Sequence, residues 1–289
     1  MDLNNWKNKG KLVEVQNHKL FCIHQKKDKP TIAFLHGYPS TSYDYYKIIP
    51  FLENDFSIVV HDHLGFGFSD KPLNYSYSLI EQAEMAIELW RQLGLKEIHL
   101  VAHDYGTTIA NEIIVRKQMG YEPVKIKSLT LSNGSMHIEL AKLKVIQKLL
   151  KHPFYGKFVV KLMHKTTFIQ QMKSIWFDKS RFDEQEMENL WTLLLHNNGK
   201  QTLHKVSQYN NERVKYWHRW IPALYKLDIP TLILWAQNDP IAVKAIAEQL
   251  NKEIPNSTYV KIDNCGHYPM LEQAEIWANE IRKFVELSA

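Results

Sequence analysis

The chain has 289 residues, 45% hydrophobic and 23% charged, with a formal net charge of +5 at pH 7. These values suit a globular protein with a full-sized core and exclude a disordered or collagen-like chain; the mild basicity is too weak to argue for nucleic acid. Cys22 and Cys265 are too few for a disulfide framework or a thiolate metal site, and residues 1–15 hold no apolar run of leader type, so a soluble, cytoplasmic protein is the expectation.

Lys11 to Ile23 alternates apolar and polar residues around Asn17-His18, which predicts a short hairpin at a sheet edge. Thr31 to Leu35 is a compact apolar strand running into His36-Gly37-Tyr38-Pro39, and Ser40 to Leu52 carries apolar residues at roughly helical spacing. Phe56 to Val60 predicts the next strand, followed by Asp62-His63-Leu64-Gly65-Phe66-Gly67-Phe68-Ser69-Asp70. The glycines of that loop do not have the spacing of a phosphate cradle, so structural support is the better reading. Ser78 and Glu81 form a capping box for a helix whose Ala83, Ala86, Ile87, Trp90 and Leu93 share a face, with Gly94 as its stop.

The next strand and helix enclose the informative stretch, Ala102-His103-Asp104-Tyr105-Gly106. An apolar strand, a central reactive residue flanked two positions away by small residues, and then helical periodicity make the layout of a nucleophile elbow. The central residue here is a carboxylate, which is poor towards amides but able to displace a leaving group from saturated carbon as an alkyl-enzyme ester. The alternative is an aspartate that only caps the following helix.

Val124 to Leu131 predicts another strand, ending at Ser132-Asn133-Gly134. From Met136 to about Tyr225 the pattern is helical throughout, and its first half is basic: Lys142, Lys144, Lys148, Lys151, Lys157, Lys161 and Lys165 accompany only Glu139. Contact with an anionic membrane surface is one reading of those lysines, a solvated helix face the other and commoner one. The alternation resumes with Thr231 to Trp235, a helix from Ile241 to Leu250, the strand Thr258 to Ile262 and a closing helix burying Trp277, Ile281 and Val285. The expected architecture is therefore α/β: residues 1–135 and 226–289 form a mostly parallel sheet flanked by helices, and 136–225 form an inserted all-helical cap. Asp104, Asp239 and His267 fall at three strand ends in the order nucleophile, acid, histidine. Asp239 also has a plain alternative as the cap of the helix after it. Asn133 sits at a fourth strand end, but an amide has no charge to offer a histidine.

His36-Gly37-Tyr38-Pro39, the Asp62 to Asp70 loop, His103-Asp104-Tyr105-Gly106, Asn238-Asp239-Pro240 and Gly266-His267-Tyr268-Pro269 together resemble the epoxide hydrolase and haloalkane dehalogenase branch of the α/β-hydrolases. Within that branch the chain is similar over nearly its whole length to the mesoderm-specific transcript-like proteins. The resemblance implies that Asp104 attacks carbon, that His267 activates the water which cleaves the ester, and that Asp239 orients His267. It also implies an oxyanion hole from the Tyr38 and Tyr105 backbone N–H groups and a cis Tyr38–Pro39 peptide. His36, Pro39, His103 and Asn133 become candidates for the substrate pocket. Tyr209, in Gln208-Tyr209-Asn210-Asn211-Glu212-Arg213, resembles the family's ring-opening tyrosine; Tyr155 is a guess for its second one.

The chain departs from the family at Ala102, usually Gly, and has Tyr105 and Tyr38 where dehalogenases place groups that bind the halide, though the Tyr105 hydroxyl remains a possible donor to a leaving group. Epoxide hydrolysis is the first expectation, dehalogenation the second, and ester or lactone hydrolysis the third. A binding or regulatory module with a vestigial site is the reading from another class. The partner expected is a small-molecule substrate, with no nucleic acid. No cofactor is expected and no metal, since His36, His61, His63 and His103 lie on different strand ends without ligand spacing.

Overall fold

The computed structural model describes residues 1–288. Eight strands form one sheet in the order β1-β2-β4-β3-β5-β6-β7-β8, where β1 is Lys11–Val15, β2 His18–Gln25, β3 Thr31–Leu35, β4 Ser57–His61, β5 Glu97–His103, β6 Lys125–Ser132, β7 Thr231–Ala236 and β8 Ser257–Ile262. The β1–β2 and β2–β4 pairs are antiparallel, and every later pair is parallel. The turn of the hairpin is Gln16-Asn17, one residue earlier than expected, with both residues at positive φ. Two left-handed residues match the twist of a tight hairpin, and asparagine tolerates that conformation better than most residues.

β4 and β7 are buried at every position and β3 and β5 at all but the first, because helices cover both faces. The helix Leu79–Gln92 begins with the expected reciprocal capping box of Ser78 and Glu81, and Gly94 follows it at φ +74°. Between β6 and β7 the regular elements are all helical, from Val145–Leu150 to Trp217–Leu224, and this cap lies across the carboxyl ends of the strands.

Two expected helices form only in part. Ser40 to Leu52 becomes a 3-10 turn at Ser42–Tyr45 and a single turn at Ile49–Leu52. Asp62 intervenes: its Oδ1 accepts from the Ser42 N–H (2.8 Å) and hydroxyl (2.6 Å), and its Oδ2 accepts from the Phe68 N–H (2.8 Å). The same carboxylate fills the space a side chain at Gly67 would need, and that glycine sits at φ +49°. The glycine loop is thus tied to the segment after Pro39. The second helix starts at Lys244 rather than Ile241: Asp239 Oδ1 accepts from the N–H groups of Ile241 and Ala242, and the backbone then extends at Val243 (φ −61°, ψ 152°) before the helix begins.

Candidate active site

Asp104 stands between β5 and the helix Tyr105–Gln118 with φ +41° and ψ −106°, a conformation that costs a non-glycine residue about 1–3 kcal/mol and clusters at functional sites. The bend fits because its neighbours are small. A Cβ on Gly106 would strike the carbonyl oxygen of Leu35, and one on Gly37 would come within 2.9 Å of His103 Nδ1. The Asp104 side chain makes no bond to the helix it precedes, which removes the capping alternative. Instead its Oδ2 accepts from the Tyr38 backbone N–H at 3.1 Å, across a cis Tyr38–Pro39 junction. The Tyr105 N–H is the first of the new helix and so has no acceptor within it.

Asp239 divides its oxygens between two tasks. Oδ1 accepts from the N–H groups of Ile241 (2.7 Å) and Ala242 (3.0 Å), as a cap would. Oδ2 lies 2.7 Å from His267 Nδ1 and accepts from Asn133 Nδ2 at 2.8 Å. Both readings of Asp239 therefore hold at once, one per oxygen. Asn133 also accepts from the Ala236 N–H with its Oδ1 (3.0 Å), so it locks the acid in place from behind and does not line the pocket as expected. His267 donates its backbone N–H to Ile175 of the cap (2.9 Å), and its ring borders the cavity. Burial alone would push the imidazole down, but the carboxylates of Asp239 and Asp104 outweigh it and hold its pKa above the ordinary value.

The other histidines are buried behind this line. His36 faces the Gly37 carbonyl through Nδ1 (2.8 Å) and accepts the His63 N–H through Nε2 (3.1 Å), while His103 Nε2 lies 2.8 Å from the His267 carbonyl. Burial pushes His36 and His61 down to about 3 and His103 to about 4, so all three are neutral near pH 7. His36 and His103 support the loop and the bend and do not line the pocket, contrary to expectation. Tyr155 is 55% exposed and lies outside with its ring tilted against His152, so the guess for the second tyrosine is overturned. The Tyr105 hydroxyl is buried without a hydrogen-bond partner, in the neighbourhood of Gln82, Glu212 and Tyr209.

The helix Tyr209–Lys215 seats two side chains over the bend, four residues apart and hence on one face. The Tyr209 ring lies 5.2 Å from that of Tyr38 and 5.1 Å from that of Tyr105. Its phenol is pushed up by burial and then by the Asp104 carboxylate, so it keeps its proton. Arg213, given no role in the sequence reading, is 1% exposed; its guanidinium donates to the Asp104 carbonyl (2.9 Å) and Thr108 hydroxyl (2.8 Å), and Nη2 lies 3.7 Å from Asp104 Oδ1. The spacing from Tyr209 is the signal that would have found it. Asp44 was also missed: it is fully buried beside Ser40, with Oδ1 unpartnered, and burial holds its carboxyl well above the usual range. An acid between two buried tyrosines was the available clue.

Residues 30–274 match the family described as alpha/beta hydrolase fold. The chain belongs to the α/β-hydrolase fold family. It is 32% identical to a putative hydrolase, LipZ, of Mycobacterium tuberculosis over 94% of either chain. It is 34% identical to the mesoderm-specific transcript protein of Mus musculus, over 98% of this chain and 88% of the relative. Among solved structures, haloalkane dehalogenase DbeA from Bradyrhizobium elkani superposes with a TM-score of 0.82 at 18% identity, covering 96% of this chain and 98% of that one. At that identity the match speaks for the fold.

In this α/β-hydrolase a cavity of ≈ 370 Å³ opens between the cap and the bend. Tyr38, Pro39 and His267 form its floor, with Asp104, Tyr105 and Tyr209 behind that floor and outside the lining; its walls are apolar, among them Leu150, Val159, Phe168, Met172, Leu194 and Leu203. Polar groups are few, chiefly Lys144, Gln147, Thr167 and Gln171 on the cap side. Such a space takes an apolar body and presents one end of it to the polar floor.

Proposed function

We propose that this hydrolase opens epoxides of apolar compounds through a covalent ester on Asp104. The carboxylate attacks a ring carbon, the C–O bond breaks, and the oxygen takes a proton. Water deprotonated by His267 then attacks the ester carbonyl, the Tyr38 and Tyr105 N–H groups receive the developing charge, and a diol leaves. Asp239 holds His267 in the tautomer that presents Nε2 to the water. Arg213 pins the backbone of the bend while the bond to Asp104 forms and breaks.

The observation that carries the reading is a pair of protonated phenols beside the nucleophile. Tyr209 and Tyr38 stand face to tilted face, and the Tyr38 hydroxyl is buried without a partner next to Tyr209 and Asp104. An alkoxide leaving group needs a proton donor; a halide does not. Tyr209→Phe and Tyr38→Phe should each slow the opening of an epoxide about 100-fold or more and leave displacement from a primary alkyl bromide unchanged. Equal losses on both substrates would remove the phenols from the chemistry.

A further inference from the structure

Seven large apolar side chains stand exposed in a short run of the cap: Leu140, Val145, Leu149, Phe154, Tyr155, Phe158 and Leu162. Their spacing gathers them. Val145 and Leu149 share one face of the helix Val145–Leu150, and Phe158 and Leu162 share one face of the helix Gly156–Leu162, which packs against it. Phe154 joins the second pair, its ring 5.6 Å from Phe158 and 5.3 Å from Tyr155. The exposures are large: Val145 73%, Phe154 65%, Leu162 74%. Apolar patches of this kind on a folded surface mark a place where something docks.

Apart from Glu139 at its start, the charged side chains of this run are all lysines. Lys142, Lys144, Lys148, Lys151, Lys157 and Lys161 lie in the same run, and none of them pairs with a carboxylate among the described residues. Lys161 lies 6.0 Å from the Phe158 ring centroid, so cation and aromatic alternate within the patch itself. A protein partner matched to this surface would have to bury six ammonium groups. A bilayer leaves them at the headgroup level, each paired with an anionic lipid, while the rings enter the acyl boundary. One residue then connects the surface to the active site: Leu162 is both exposed on the patch and part of the cavity wall, and Lys144 lies at the same rim.

We infer that the cap run 140–165 docks on an anionic lipid bilayer, placing the mouth of the cavity against the membrane so that apolar substrates enter from the lipid. The docking itself does not rest on the reading of Asp104 as nucleophile, and the substrate route rests only on the cavity.

The test is flotation of the full chain with vesicles of phosphatidylcholine alone or with about a quarter phosphatidylglycerol. Binding is expected to the mixed vesicles, to fade with added salt, and to be at least about tenfold weaker on neutral ones. Phe154→Ser with Phe158→Ser should weaken it about tenfold or more, and Lys148→Glu or Lys157→Glu about fivefold or more each. Lys283→Glu, on the far closing helix, should bind as the native chain, and so should Asp104→Asn, which separates docking from catalysis. Circular dichroism of each variant reports folding. Equal binding to neutral vesicles, no binding at all, or unaltered binding by the folded Phe and Lys variants overturns the inference. So does a salt-insensitive dimer that dissociates on Phe154→Ser with Phe158→Ser, since the patch would then belong to a second copy.

Discussion

Asp104 meets unlike surroundings on its two oxygens, an amide N–H on one and a guanidinium 3.7 Å from the other. Its charge is felt by His267. While Asp104 is an anion it helps to raise the imidazole pKa, which keeps a proton on the ring to higher pH. Once Asp104 is an ester that contribution is gone, so the ring becomes neutral at a lower pH, when it must serve as base. Hydrolysis of the ester falls as pH drops through the His267 pKa of the intermediate. The break in the second step, followed by single turnover, is predicted to lie below the His267 midpoint of the free protein, followed by NMR. Coincident values would contradict this coupling.

At the scale of elements, the capping box on the helix Leu79–Gln92 is predicted to matter in proportion to one cap. Ser78→Ala should lower the unfolding free energy by about 1 kcal/mol, read as a shift of the urea midpoint at unchanged slope. That helix was legible in the sequence because its signals are local, and so were the inner strands β3, β4, β5 and β7, whose apolar runs are buried almost throughout. The bend at Asp104 was legible for the same reason: small residues at fixed offsets between a strand and a helix. What escaped was set by distant groups. Asp62 ties the Ser42 N–H to the glycine loop, and Asp239 holds the N–H groups of Ile241 and Ala242 ahead of the helix that starts at Lys244. Arg213 acquires its role only when its helix settles over the bend, and the second phenol comes from the core loop at Tyr38, whereas Tyr155 turns outward. A local pattern marks where a residue sits along an element, but not which element will arrive opposite it.

Over the whole molecule, the carboxyl ends of the sheet carry a layer of buried neutral histidines. His36, His61 and His103 have folded pKa values of about 3, 3 and 4, below those of an unfolded chain. Groups depressed in this way contribute stability above the unfolded value, near 6.5, and lose it as pH falls towards the folded value. Urea midpoints should therefore drop steeply between about pH 6.5 and pH 4, and His61→Gln, if folded at neutral pH, should flatten that slope. An unchanged slope would show that other groups govern acid sensitivity. The helical cap completes the molecule by closing an apolar cavity over a polar floor, and no helix among the described residues is long and apolar enough to cross a membrane.

The central claim is a bond between Asp104 and carbon, and intact-mass measurement of His267→Gln exposed to an apolar epoxide tests it most directly. A protein that forms the ester but cannot hydrolyse it should gain the mass of one substrate, the added mass should map to the peptide containing Asp104, and Asp104→Asn should abolish it. An unmodified His267→Gln protein, under conditions where the native chain turns the same epoxide over, would contradict the account.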